Sequence, residues 1–362
     1  VIAYMDVNRI LTKIQEAINL LPATLMQLKQ EGRKIIMTQC DILPYEVFRA
    51  FGYSVIKMPR WVANAFIMGD SSLENDAVAF CTIADMIIVP KQCTIVPNTI
   101  LNNRIFLIDG INGFAEDAAV AIHSMLSMIL RTVGTTQEFP DDEELKEAVC
   151  LYEEIRKIMR TVSSFHAHKL TLIQLQIICD AAFSLLPDES LPLLQQLIVA
   201  LESMDVPVPD NGEKKIKALL YSDGTNWEMF DECKKHDLTI VEDDACNGRR
   251  QFDISCNVSA TNLYYELLMA YTFKAWCPAM RSVPERFELI YKALPNYDIG
   301  LVIFLQSVLT TRNNHIDYLY EQCLLQGSNA IVCTEEEAIV QIQRYITGLK
   351  QRKHIAITID LL

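Results

Sequence analysis

No C-x-x-C pair occurs among the 11 cysteines of this chain, which removes zinc ribbons and thioredoxin-like motifs from consideration. The odd count and irregular spacing also argue against a disulfide framework, so the thiols are read as mainly buried hydrophobes of a reducing, cytoplasmic setting. There is no G-x-G-x-x-G or Walker-type phosphate loop and no G-x-S-x-G elbow, so nucleotide hydrolysis is assigned to a partner and serine-hydrolase chemistry is set aside. No apolar run reaches the ~18 residues of a membrane helix. Around Asp6, Arg9 and Lys13 the N-terminal segment is amphipathic, so no secretory signal is expected. Basic residues are the scarcer sign, 32 Lys and Arg against 46 Asp and Glu, and the net charge of −14 excludes a nucleic-acid surface and an anionic membrane surface. Charged residues make up only 22% and hydrophobic ones 51%, the composition of a globular chain with enough apolar material for two cores.

Against that background one stretch concentrates chemistry: Leu238 to Arg250, LTIVEDDACNGRR. Its first four residues have the strand bias of a buried parallel strand. Ligands of open α/β sheets sit at the carboxyl ends of strands, where Asp243, Asp244, Cys246, Gly248 and Arg249 are expected. A solvated turn held by its own ion pairs is the competing reading.

In order along the chain, Val7 to Leu28 has helical periodicity, and strands are expected at Lys34–Thr38, Tyr53–Lys57, Met86–Val89 and Arg104–Ile108. Helices fall at Pro44–Phe51, Trp61–Met68 and Phe114–Arg131, with Asp70 to Asn75 read as a polar loop. From Asp141 to Met204 the pattern is helical only, and Pro207, Pro209 and Asn211-Gly212 mark a linker. The strand pattern then returns at Ile216–Tyr221, Leu238–Val241, Ile299–Leu305 and Asn329–Cys333, with helices between and Thr334/Glu337 as a capping box. The two halves share strand, turn, helix, strand, and each opens its third strand after an acidic residue. The expected fold class is α/β, with two flavodoxin- or Rossmann-like domains of mainly parallel sheet. The N-terminal domain spans 1–138, a helical connector 139–212, and the C-terminal domain 213–362. A cleft between the two domains would take Cys93, Asp243, Cys246 and Arg249.

Cys150, Cys179 and Cys333 are read as core residues, whereas Cys40, Cys81, Cys93, Cys246 and Cys277 fall at strand ends or loops, where a ligand role is physically open. His123 is read as a core or boundary residue, and His166 and His168 flank a helix break.

CDILPYEVFRAFGYSVIKMP, ADMIIVPKQC, IRKIMR, LTLIQLQIICDAAFSLLPDES, ALLYSDGTNW, VEDDACNGRR and WCPAMRSVPERFELI follow one another in this order. Together they resemble subunits of the 2-hydroxyacyl-CoA dehydratases and benzoyl-CoA reductases, the 2-hydroxyglutaryl-CoA dehydratase D-component among them, over nearly the whole chain. The resemblance implies a subunit that works with a second, homologous subunit and an ATP-dependent activator in radical dehydration or reduction of an acyl-CoA thioester. It implies a [4Fe-4S] cluster on three cysteines, for which thiolate is the right ligand chemistry. On this sequence the three positions fall on Cys93, on Cys81 as stand-in for an earlier cysteine, and on Thr310, whose hydroxyl is a poor ligand for soft iron. Substrate binding falls to Asp243, Asp244, Gly248 and Arg249, the arginine serving the anionic CoA moiety. Three readings follow: a cluster-bearing lyase or oxidoreductase subunit, a cluster-less binding or scaffolding subunit, and an unrelated α/β protein.

Overall fold

The computed structural model describes residues 6–41, 43–68, 71–90, 105–108, 127, 129–131, 140–204, 216–222, 238–245, 248–273, 283–306, 315–334 and 337–360. Of the helix expected at 114–131 only residues 127 and 129–131 are described, and they are helical; the helix expected at 227–235, the linker at 207–212, and Cys93, Cys246, Cys277 and Thr310 lie outside these residues.

The chain divides into two compact units, and neither is continuous in sequence. The first comprises residues 1–165, 174–204 and 249–281, and the second 166–173, 205–248 and 282–362. Each is built on a four-stranded parallel sheet.

In the first unit, helix α1 (Val7–Gln30) buries Ile10, Ile14, Ile18, Leu21 and Leu25, one stripe at helical spacing. Asp6 caps its start by accepting the Asn8 N–H at 2.9 Å. Gly32, at φ +85°, turns the chain into the first strand in the left-handed conformation that favours glycine. There follow β1 (Ile35–Thr38), α2 (Tyr45–Ala50), β2 (Ser54–Lys57), α3 (Arg60–Met68), α4 (Ser71–Cys81), β3 (Met86–Pro90) and β4 (Ile105–Ile108). The sheet order is β2-β1-β3-β4. α5 (Asp142–Lys169), α6 (Leu172–Ser184) and α7 (Pro187–Ser203) make residues 142–203 almost wholly helical.

The second unit repeats the topology with β5 (Ile216–Ser222), β6 (Leu238–Ala245), β7 (Leu301–Gln306) and β8 (Ala330–Thr334), in the order β6-β5-β7-β8. Helices α9 (Val283–Asn296) and α10 (His315–Leu325) cover one face through Ile290, Ile316, Leu319 and Cys323. Helix α11 (Ala338–Asp360) covers the other through Ala338, Ile342 and Ile346, joined by Leu172. Covering both faces explains the continuous apolar runs of the central strands, LVIFL in β7 for one. The last helix starts with the expected capping box: Glu337 N–H donates to Thr334 Oγ1 at 3.3 Å and Thr334 N–H to Glu337 Oε2 at 3.5 Å.

In both halves the acid that precedes the third strand meets a lysine. Asp85 accepts the Ile35 N–H at 2.9 Å and pairs with Lys29, and Asp298 pairs with Lys217 of β5 at 3.8 Å. The repeat seen in the sequence is therefore a repeat of element order, with an acid–lysine pair before the third strand of each half.

Three local readings are corrected. Residues 71–75 open helix α4 rather than a polar loop, because Ala77, Phe80 and Cys81 bury one side of the segment while Asn75 and Asp76 face solvent. Cys150 is exposed: it falls on the face of α5 that carries Glu143, Glu147 and Lys157. Cys179 and Cys333 are buried. β6 runs on to Ala245, so Asp243 and Asp244 belong to the strand rather than to a loop beyond it.

Candidate functional site

A parallel sheet of order 2-1-3-4 has its topological switch between the first and third strands, and ligands sit outside the carboxyl ends there. In the first unit those ends belong to β1 and β3, with β2 alongside β1 in the register Thr38↔Lys57. Thr38, Gln39, Asp41, Glu46 and Lys57 are all buried at this end, an unusual density of polar groups for a sheet that is otherwise isoleucine, valine and methionine.

The deepest part is an ion pair. Glu46, in the first turn of α2, meets Arg156 of α5, and both side chains are almost entirely buried. Arg156 Nη1 donates to Glu153 at 2.8 Å and Nη2 to the Tyr271 hydroxyl at 2.7 Å. Tyr271 belongs to α8 (Leu263–Phe273) and donates in turn to Glu46 Oε2 at 3.0 Å. The guanidinium also lies over the Tyr152 and Tyr271 rings, 5.9 and 5.6 Å from their centroids. Burial alone would favour a neutral Arg156, but Glu46, Tyr271 and Glu153 hold it charged well above its ordinary range. Tyr45 completes the layer, its hydroxyl 3.0 Å from Thr38 Oγ1.

Beside this layer, Lys57 ends β2 with its ammonium buried and donating to Gln251 Oε1 at 2.6 Å. Gln251 lies in a 3-10 turn, Arg249–Phe252. Asp180 of α6 accepts the Arg60 N–H at 3.0 Å. Burial pushes its carboxyl above the usual range, against the pull of Lys57, the Arg60 N–H and Ser184. The folded state therefore holds the Asp180 proton more tightly than the unfolded chain. The stability this confers is complete below the unfolded value of about 3.9 and is lost as pH rises through the folded one. Asp180→Asn is expected to flatten that decline in urea titrations run between pH 4 and 8. Parallel pH profiles for the two proteins would remove Asp180 from the account.

Of the residues singled out in the sequence, Arg249 and its neighbours enter this site. The Arg249 guanidinium donates through Nε to Ser163 Oγ and through Nη2 to Ser163 O at 3.1 Å, and Arg250 is buried. Asp243, Asp244 and Gly248 belong to the second unit, where β6 is one of the two outer strands of the sheet among the described residues. Its pairing with β5 slips by one residue opposite Ala218 and Leu219, a bulge that precedes the run Glu242-Asp243-Asp244. Bulges and charges are devices that keep an outer strand from pairing with another chain. Asp243 Oδ1 accepts the Ala245 N–H at 3.3 Å, and its carboxylate fills the place a Cβ on Gly248 would need. These contacts tie the acidic run to the end of its own strand.

Cys81 is the last residue of α4 and is fully buried, and burial pushes its thiol up to about 12. Among the described residues no group of three His, Cys, Asp or Glu side chains converges as a metal site. Two of the three positions that the resemblance gives to a cluster, Cys93 and Thr310, lie outside the described residues.

The open cavity of about 540 Å³ described in the first unit lies at the opposite end of the sheet, beside Arg33 and Ser54 at the amino ends of β1 and β2. Its walls carry charges of both signs, including the Arg49–Asp188 pair at 3.0 Å. It shares no residue with the strand-end cluster, which keeps the functional assignment by topology rather than by cavity size.

Sequence reasoning missed Glu46, Lys57, Arg156, Asp180 and Gln251. A signal existed for three of them. Lys57 ends an apolar strand, Asp180 is the sole charge in the apolar helix LIQLQIICDAAFS, and Arg156 is flanked by Ile155 and Ile158 in IRKIMR.

No helix among the described residues is long and apolar enough to cross a membrane. No curated protein matches the chain. The family model described as 2-hydroxyglutaryl-CoA dehydratase, D-component, matches residues 40–309, from the carboxyl end of β1 to the residue before Thr310. That stretch contains the whole strand-end cluster apart from Thr38 and Gln39 and most of both sheets. Covering well over half of the 362 residues, it makes the chain a member of the 2-hydroxyglutaryl-CoA dehydratase D-component family.

Proposed function

We propose that this chain is an acyl-CoA-handling subunit of a cytoplasmic 2-hydroxyacyl-CoA dehydratase assembly, and that it carries no [4Fe-4S] cluster of its own. A second, homologous subunit and an ATP-dependent activator complete the assembly, which removes the 2-hydroxyl of an acyl-CoA thioester. Family membership supports the substrate class.

The observation that carries the cluster-less reading is the residue at position 310: of the three positions the family resemblance gives to the cluster, Thr310 offers only a hydroxyl, a poor ligand for soft iron. Cys81 and Cys93 then leave at most two thiolates, fewer than the three that hold such a cluster. The substrate side of the reading is Lys57, Gln251 and Arg249. Their ammonium, amide and guanidinium donors suit the carbonyl and anionic oxygens of an acyl-CoA.

Iron and sulfide analysis of anaerobically purified protein tests the reading. Iron is expected well below one atom per chain, with no charge-transfer absorption. About four irons per chain and a stable cluster spectrum would overturn it.

A further inference from the structure

Helix α5 presents three residues at helical spacing, Arg156, Arg160 and Ser163, and each holds the segment that returns to the first unit after Gly248. Ser163 takes the Arg249 guanidinium. Arg160 Nη1 donates to two backbone carbonyls, Phe252 at 2.7 Å and Ile254 at 2.9 Å. Arg156 takes the Tyr271 hydroxyl at 2.7 Å. Of the three, Arg160 alone grips backbone on the carboxyl side of the 3-10 turn, immediately after Gln251, the residue whose amide oxygen covers Lys57.

Resting on the substrate side of the reading above, we propose that Arg160 is a positioning residue. By fixing the carbonyls of Phe252 and Ile254 it sets the 3-10 turn so that Gln251 meets the Lys57 ammonium at the carboxyl end of β2. A guanidinium does this where an ammonium cannot, because its planar fork offers donors in fixed directions whereas lysine offers a mobile point charge. Arg160 also stands 3.7 Å from Glu153, which keeps its head group on the strap side of the helix. The hold is directional: the carbonyls accept along defined lines, so losing one donor frees the turn to rotate without freeing the helix beneath it.

Competitive acetylation of the full-length protein, read by mass spectrometry at Lys57 relative to exposed Lys292, tests the proposal without reference to activity. In the wild type Lys57 is expected to be protected at least tenfold relative to Lys292. Arg160→Lys and Arg160→Gln are expected to raise Lys57 labelling severalfold while the melting transition moves by only a few degrees. Ser163→Ala, which removes the Oγ acceptor of Arg249 and keeps both Arg160 contacts, should leave Lys57 protected. Calorimetry with 2-hydroxyglutaryl-CoA, run on the same proteins, should show affinity falling about tenfold in the Arg160 variants. If Lys57 labelling stays at the wild-type level in both Arg160 variants, or rises only in step with global unfolding, Arg160 is merely structural and the proposal fails. If the wild type binds no thioester while Lys57 labelling responds as stated, the positioning role stands and the functional reading falls.

Discussion

Arg156→Ala is expected to cost about 3–5 kcal/mol, the penalty for leaving one member of a buried ion pair without its partner. Glu46 is fully buried and takes its ion pair from Arg156, while Tyr271 and Glu153 also lose their guanidinium donors. The double replacement Arg156→Met with Glu46→Leu is expected to recover most of that loss, because two apolar side chains of similar volume need no partner. Urea unfolding followed by amide exchange of β1 and β2 would read both effects. A single variant within about 1 kcal/mol of wild type would show that water or a neighbour replaces the guanidinium, and the network would lose its structural role.

Phe304→Ala should be nearly as damaging in the second unit, at about 3–5 kcal/mol. Phe304 lies in β7, between β5 and β8, with no exposed surface, and its ring packs against Tyr221 at 5.4 Å between centroids. Tyr221 is itself fixed, since Arg286 donates to its hydroxyl at 2.6 Å, so the wall cannot move in to fill the space. Phe304→Leu, which leaves a smaller void, should cost less than half as much. Equal midpoints for the alanine and wild-type proteins in guanidinium titrations would mean that α9 and α10 collapse into the cavity.

The eight described strands were legible in the sequence where they carry a short run of apolar residues between polar turns, the mark of a parallel strand covered on both faces, whereas the EDDA end of β6 was read as loop. Helix α4 was not, because SSLEND is polar and its buried face begins only at Ala77. The strand-end cluster was half legible. Arg249 stood out because it sits among other charges, and exposed or half-exposed charge is conspicuous in a row of letters. Lys57, Arg156 and Asp180 are single charges embedded in apolar surroundings, and what gives them meaning is the distant partner each meets, 110 to 194 positions away. Glu46 and Arg156 are 110 positions apart, and Lys57 and Gln251 are 194 apart. No periodicity reaches that far.

The threading of the chain through its two units sets a timetable for synthesis. The second segment of the first unit ends at residue 204 and its third does not finish until residue 281. At ~5–20 residues per second a ribosome spends roughly 4–15 seconds on that stretch. For more than half of it Lys57 has no Gln251 to meet and Arg160 no Phe252 or Ile254 carbonyl to hold. The N-terminal half of the nascent chain, ordinarily the first to finish, here waits for residues made after β6. Any break in translation before the third segment emerges therefore leaves the first unit without Gln251, Phe252 and Ile254, so a chain ended at residue 212 lacks part of that unit.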